Sequence, residues 1–276
     1  MKPTLDLKRA VYAWLIPVRY PSDRLGEGLS WLDADAQDQA SDIYCDDNRE
    51  LLLESHLWLR RLLSAATGVA PPALRFDRGG SGKPVLVRSS AKAPEIFFDV
   101  SYTYSCIAIA LSRHGEIGVD VERVWEPSRL SDAAAFGLNW NENKYLRTVP
   151  ADERARSTSR MRAAKGAYAR VRGPGSAASE HLQVSLIQGQ YCAIEDVGST
   201  AVDSSPSFFS MATKPDADGK EYAVAVAGSM KSLPLVLHRV PEQMQLVDSL
   251  EMLPAQQVAP YFPPEDVQAV RYRKSA

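Results

Sequence analysis

Asp120 and Glu122 stand two residues apart inside the run Ile117-Gly118-Val119-Asp120-Val121-Glu122. On a β-strand the period of two puts both carboxylates on one face, where they repel unless something positive sits between them. A hard cation such as Mg²⁺ answers that need, because it takes one or two carboxylates and completes its octahedron with water and phosphate oxygens. Two solvated acids at a strand end are the plainer alternative, and the pair alone does not choose. Lys83 is a second group with chemical reach, following Gly79-Gly80-Ser81-Gly82 and preceding Pro84. The nucleotide-binding P-loop needs a glycine five residues before its second glycine and Ser or Thr after the lysine. Asp77 and Pro84 hold those positions, so that loop is excluded. What remains is a tight turn presenting one lysine, its exit fixed by the proline ring, and it reads as a plain loop or as a ligand lysine. Arg160, Arg162, Lys165, Arg170 and Arg172 form a basic group that is either a solvated helix face or a surface for an acidic ligand or protein.

The elements that must position these residues are legible in outline. Cys106 to Leu111 alternates, Arg113-His114-Gly115-Glu116 reads as a turn, and Ile117 to Val121 is apolar, which together predict a β-hairpin. Residues 162–170 have helical composition, with 166 one turn before 170 on the same face. Residues 41–64 carry helical spacing, with Leu52, His56, Leu59 and Leu63 on one side, expected to pack against a sheet. Ala10 to Val18 follows Lys8-Arg9 but is short, contains Pro17 and lacks a small-x-small cleavage site, so it reads as a first strand and not as a signal peptide. Nothing reaches the length of a transmembrane helix. Residues 105–112 and 222–229 share an alternation of small and β-branched residues, as equivalent strands of two similar halves would. A ligand cleft is then expected between the halves.

In order along the chain, these segments resemble the larger, pseudo-dimeric (surfactin-synthetase-activating) class of 4′-phosphopantetheinyl transferases, from about Trp14 to about Val226. Leu59-Arg60-Arg61-Leu62-Leu63 is similar to the family's arginine-bearing helix and Gly82-Lys83-Pro84 to its GKP turn. Phe98-Asp99-Val100-Ser101-Tyr102-Thr103 stands where the family has FNLSHS, and Gly118 to Glu122 matches GVDVE without a change. Arg162 to Arg170, then Gly173-Pro174-Gly175, stands where the family has WTxKEAxxK and GTG.

The resemblance implies an α+β fold of two pseudo-twofold-related halves, each with an antiparallel sheet and a packed helix. The halves would be residues 1–124 and 125–240, followed by an extension at 241–276. It implies transfer of phosphopantetheine from coenzyme A to a serine of an acyl or peptidyl carrier protein, in polyketide, nonribosomal peptide or fatty acid biosynthesis. Mg²⁺ would be held by Asp120 and Glu122, with Lys165 and Arg170 as the further catalytic positions. Arg60, Lys83, Pro84, Ser101 and Tyr102 would contact coenzyme A. A monomer with pseudo-twofold symmetry is implied too.

Four positions depart from the family pattern. Gly166 stands where the family's KEA glutamate is the third cation ligand and the group usually considered for taking the serine proton, so a weakened metal site is expected. Losing a general base costs about 10²–10⁴ in rate unless another group substitutes. Arg170 replaces a lysine and keeps its charge, but its guanidinium does not give up a proton. Tyr102 replaces a histidine that contacts a coenzyme A phosphate, and Arg162 replaces a tryptophan packed near the site. Alongside an ordinary transferase, the sequence therefore leaves open a degenerate homologue that binds coenzyme A or a carrier protein, and a catalyst repurposed for a phosphopantetheine-tethered intermediate.

Composition bounds these readings. The 276 residues are 45% hydrophobic with a formal net charge of -2, enough for one large or two small domains. That balance gives no reason to propose nucleic acid or an anionic membrane as partner. Cys45, Cys106 and Cys192 are odd in number and widely spaced, which suits reduced thiols in a cytoplasmic protein. There is no CxxC, HExxH, zinc spacing or GxSxG elbow, and the four histidines form no recognisable ligand set. Loops are expected at 173–179 and 196–207. The extension, with Pro254, Pro263 and Pro264, is expected as a short helix against the second half or as a cover for a partner surface.

Overall fold

The protein is described by a computed structural model covering residues 5–22, 24–80, 83–125, 137–173, 181–186, 192–196, 207–212, 219–228, 233–246, 250, 253 and 255–258. Chain order begins with β1 (Val11–Pro17), the short α1 (Leu25–Gly28), α2 (Ala34–Ser41) and the long α3 (Asp46–Thr67). Then come β2 (Phe76–Arg78), β3 (Pro84–Leu86), β4 (Phe97–Thr103), β5 (Cys106–Ser112) and β6 (Ile117–Arg123). After α4 (Trp140–Thr148) and α5 (Ala151–Arg172) follow β7 (Leu182–Leu186), β8 (Cys192–Asp196), β9 (Ser207–Ala212), β10 (Tyr222–Gly228), β11 (Leu235–Arg239) and β12 (Ala255–Val258).

Two sheets carry the structure. The larger has the order β12-β11-β1-β5-β4 and the smaller β6-β10-β9. Their pairs are antiparallel except β1 with β11, which run parallel. Alternation decides which side chains go where. On β5, Ile107, Ile109 and Leu111 pack with α3, while Cys106, Ala108 and Ala110 meet Ile117, Val119, Val121, Val224 and Val226 of the smaller sheet. On β10, Tyr222, Val224 and Val226 face that shared middle layer, and Ala223, Ala225 and Ala227 face α5. The layers are therefore helix, sheet, sheet, helix.

α3 begins with Asp46 and Asp47 in its first turn, favourable at the positive end of the helix dipole. It ends at Gly68, whose φ of 76° is the left-handed cap that glycine adopts without strain. Leu57, Trp58, Leu62 and Leu63 of α3 have no exposed surface. Each such side chain contributes about 1.5–3 kcal/mol of burial, which is what docks the helix. α5 is held differently. Its inner face is Ala163, Ala164, Gly166 and Ala167, and a Cβ at Gly118 of β6 would collide with Ala167 O and come within 3.0 Å of Val171 N. Small residues on helix and strand let the two backbones approach closely.

Two expectations change. β5 and β6 form no hairpin: β5 pairs with β1 and β4, β6 pairs with β10, and the turn at 113–115 carries the chain from one sheet to the other. An apolar-turn-apolar pattern is equally satisfied by two strands stacked across a core, which is why the sequence misleads. The extension is expected against the second half, and its described buried residues lie on the first. Met244, Leu246, Leu250 and Leu253 join the α3 core, and β12 pairs with β11 at the edge of the larger sheet. The sheets also cross the 124/125 division, since β6 lies with β10 and β11 lies beside β1. The expected loops lie outside the described residues over 174–179 and 197–206. Among the described residues no helix is long and apolar enough to cross a membrane.

Candidate active site

β4 and β6 are the facing edges of the two sheets, and their polar residues stitch the seam. Asp99 and Ser101 share one face of β4. Asp99 Oδ2 accepts the backbone N–H of Val119 at 2.9 Å, and Ser101 Oγ donates to Asp120 Oδ1 at 2.6 Å. Unpaired N–H groups of an edge strand need such partners. Lys83 reaches the same seam from the turn between β2 and β3, 3.3 Å from Asp99 Oδ1 and donating to Ile117 O at 3.4 Å. Arg170 arrives from α5, donates to Val100 O at 3.0 Å, and lies 3.6 Å from both Asp99 Oδ1 and Asp120 Oδ1.

α5 runs antiparallel to β6, and their repeats match. Two strand residues advance about 6.7 Å and four helix residues about 6 Å. Gly118 therefore meets the helix at Ala167 and Val171, Asp120 at Gly166 and Arg170, and Glu122 at Arg162, whose Nη2 lies 3.1 Å from Glu122 Oε1. The period of two correctly placed Asp120 and Glu122 on one face.

Beside this seam lies a cavity of about 950 Å³. Its polar lining includes Lys83, Asp99, Tyr102, Asp120 and Arg170, with Pro84 at the turn and Gly166 at the helix. Its apolar wall comes from α3 and β4, through Leu52, Leu59 and Phe98, and His56 joins them. Leu59 and Leu63 pack in the core shared with the sheet, as expected, and Leu52, His56 and Leu59 in addition line the cavity. Burial lowers the pKa of His56, which keeps the ring neutral at neutral pH.

The remaining expected site residues sit elsewhere. Arg60 is 2% exposed and turned into the protein, pairing with Asp33 at 2.5 Å, donating to Pro71 O and Leu74 O at 3.1 Å each, and covering the Phe76 ring. Lys165 is buried against Glu142 at 2.7 Å and donates to Gly137 O at 3.0 Å. Neither lines the cavity. Ser101, buried, meets it through Asp120. Sequence reasoning missed Asp99 and Glu142. The Asn139-Glu142 capping box was a readable indication for the second, and Asp99 lay in plain view two residues before Ser101.

Burial pushes the Asp120 carboxyl up to about 6, with Ser101 and Arg170 opposing the rise. Glu122 is also raised by burial, against the pull of Arg162. A divalent ion on these acids would have to part Glu122 from Arg162 and draw Asp120 away from Ser101 and α5. Among the described residues no group of three His, Cys, Asp or Glu is placed to hold a metal. The side chains as they stand do not fit a cation held by both carboxylates.

Two relatives give this arrangement a context. The chain is 26% identical over 222 residues to the 4′-phosphopantetheinyl transferase HetI of Nostoc sp., covering 80% of this chain and 90% of that protein. It is 30% identical over 129 residues to slr0495 of Synechocystis sp., named only as a candidate 4′-phosphopantetheinyl transferase, covering 46% of this chain and 51% of that protein. No family model matches the chain.

Proposed function

We propose that this chain, which belongs to the 4′-phosphopantetheinyl transferase superfamily, moves the phosphopantetheine arm of coenzyme A onto a serine of an acyl or peptidyl carrier protein. The observation that carries this reading is the convergence of Lys83, Tyr102, Asp120 and Arg170, from four separate elements, on one cavity.

Lys83 and Arg170 offset the charge of the coenzyme A diphosphate, Arg170 with a planar fork suited to phosphate oxygens. Pro84 fixes the turn that presents Lys83. Tyr102, nearly half exposed, donates one hydrogen bond in place of a histidine's charge. The serine oxygen attacks the β-phosphorus, the bond to the adenosine 3′,5′-bisphosphate portion breaks, and that portion leaves. The serine proton passes to Asp120, whose pKa of about 6 suits a base near neutrality. Ser101 orients that carboxylate. Arg60 and Lys165 act from within the fold, holding α3 and α5 in place. The carriers belong to polyketide, nonribosomal peptide or fatty acid assembly.

Gly166 favours a second reading, a homologue that binds coenzyme A or a carrier without transfer, or acts on a phosphopantetheine-tethered intermediate. Titration of coenzyme A into wild-type protein and Lys83→Ala, followed by incubation with an apo carrier, separates them. Binding with carrier loading supports the transferase, binding without loading supports the second reading, and absence of binding contradicts both.

The three widely spaced cysteines, odd in number, support a reduced, cytoplasmic setting. We infer further a monomer with two pseudo-twofold-related halves, 1–124 and 125–240, each lending one strand to the other's sheet, β6 beside β10 and β11 beside β1.

A further inference from the structure

Three acids and three bases meet along the seam, and each acid has its own partner. Asp99 lies 3.3 Å from Lys83, Asp120 3.6 Å from Arg170, and Glu122 3.1 Å from Arg162. The charges balance with no cation added. Asp120 Oδ1 takes Ser101 and Arg170, and Oδ2 is packed against the glycine, in the space where a side chain at 166 would begin. Gly166 brings no third carboxylate. Arg162, Gly166 and Arg170 recur at four-residue spacing on α5, so the two guanidinium groups flank the glycine along the face that meets Asp120 and Glu122.

We propose that Arg162 and Arg170, paired with Glu122 and Asp120, take the place of a divalent cation on these two carboxylates, so that the diphosphate of coenzyme A meets Lys83 and Arg170 at the cavity without Mg²⁺. Guanidinium suits this exchange, since it is always charged, is more weakly hydrated than an ammonium, and meets carboxylate and phosphate oxygens in one plane. Against the family pattern the sequence resembles, Gly166 brings no carboxylate and Arg162 adds a guanidinium, a difference of charge in the direction that replaces a bound cation. The inference rests on the reading of the cavity as a coenzyme A site.

Isothermal titration of coenzyme A into the full chain, once in EDTA and once in excess MgCl₂, tests it. The dissociation constants are expected to agree within about twofold, far below the tenfold that corresponds to 1.4 kcal/mol. MgCl₂ alone is expected to give no binding heat. Arg170→Gln should weaken binding in EDTA by about 10- to 100-fold, the loss of one charge-assisted hydrogen bond. Arg162→Gln releases Glu122, and in that variant, unlike wild type, Mg²⁺ should tighten coenzyme A binding by about tenfold. Arg162 is partly exposed, and Arg170→Gln carries the test should Arg162→Gln not fold. Wild-type binding tightened tenfold or more by Mg²⁺ overturns the inference and leaves the coenzyme A reading standing. No binding in either condition overturns both.

Discussion

The carboxylate of Asp120 lies against the Cα of Gly166: a Cβ built at residue 166 would come within 2.6 Å of Asp120 Cγ. The glycine is therefore a packing partner of the acid as well as the absence of a glutamate. Its cost to the helix, about 1 kcal/mol relative to alanine, is offset by the room it gives Asp120. Gly166→Ala is expected to destabilise the protein by about 1–3 kcal/mol, as overpacking does, although alanine is the better helix former. Urea denaturation measures this, and a more stable variant contradicts it. Gly166→Glu alone should likewise fail to restore an ordinary centre, because Asp120 must move first.

Asp120 also sets a pH dependence. Its folded pKa, about 6, is raised above the unfolded value, so the folded state holds more protons between roughly pH 4 and pH 6. Stability then falls as pH rises through that window, by on the order of 3 kcal/mol, and is level above it. Asp120→Asn should flatten this portion of the curve. Denaturation midpoints at pH 4.5 and pH 7 compare the two proteins, and an unchanged difference in the variant would falsify the assignment.

Lys165 and Glu142 form a buried pair, 4% and 0% exposed, with Glu142 also accepting from Val184 N and Asn139 N at 2.8 Å each. Removing one partner of such a pair costs about 3–5 kcal/mol. Lys165→Met should lower stability by that amount while leaving the coenzyme A affinity of the folded protein unchanged. Loss of affinity without loss of stability would place Lys165 at the ligand instead.

Lys83 and Arg60 should separate in the opposite sense. Lys83→Ala removes a charge from the cavity and should weaken coenzyme A binding by about 10- to 100-fold with little change in melting temperature. Arg60→Leu, which strands Asp33 and two carbonyls, should lower the melting temperature and leave affinity intact. Calorimetric melting and titration on both variants read the two effects.

Much of this arrangement was legible in the sequence, and the failures have physical causes. The DxE spacing placed Asp120 and Glu122 on one face because a strand's period is fixed by its backbone. The 162–170 helix was legible by composition, but its tight approach to β6 was not, since it depends on Gly118 and Gly166 meeting residues distant in sequence. Arg60 read as a ligand contact through the family resemblance alone, which gives a residue's position and not its surroundings. Only the packing of Asp33, Pro71 and Leu74 around it turns the guanidinium inward. The β5–β6 corner was misread because stacked and paired strands share one alternation.

The most direct measurement is the intact mass of an apo carrier protein incubated with this protein and coenzyme A, in EDTA and in excess Mg²⁺. The account predicts a gain of one phosphopantetheine in both conditions, lost in Asp120→Asn. No gain in either condition across several carriers, with the protein folded and binding coenzyme A, contradicts the proposed transfer.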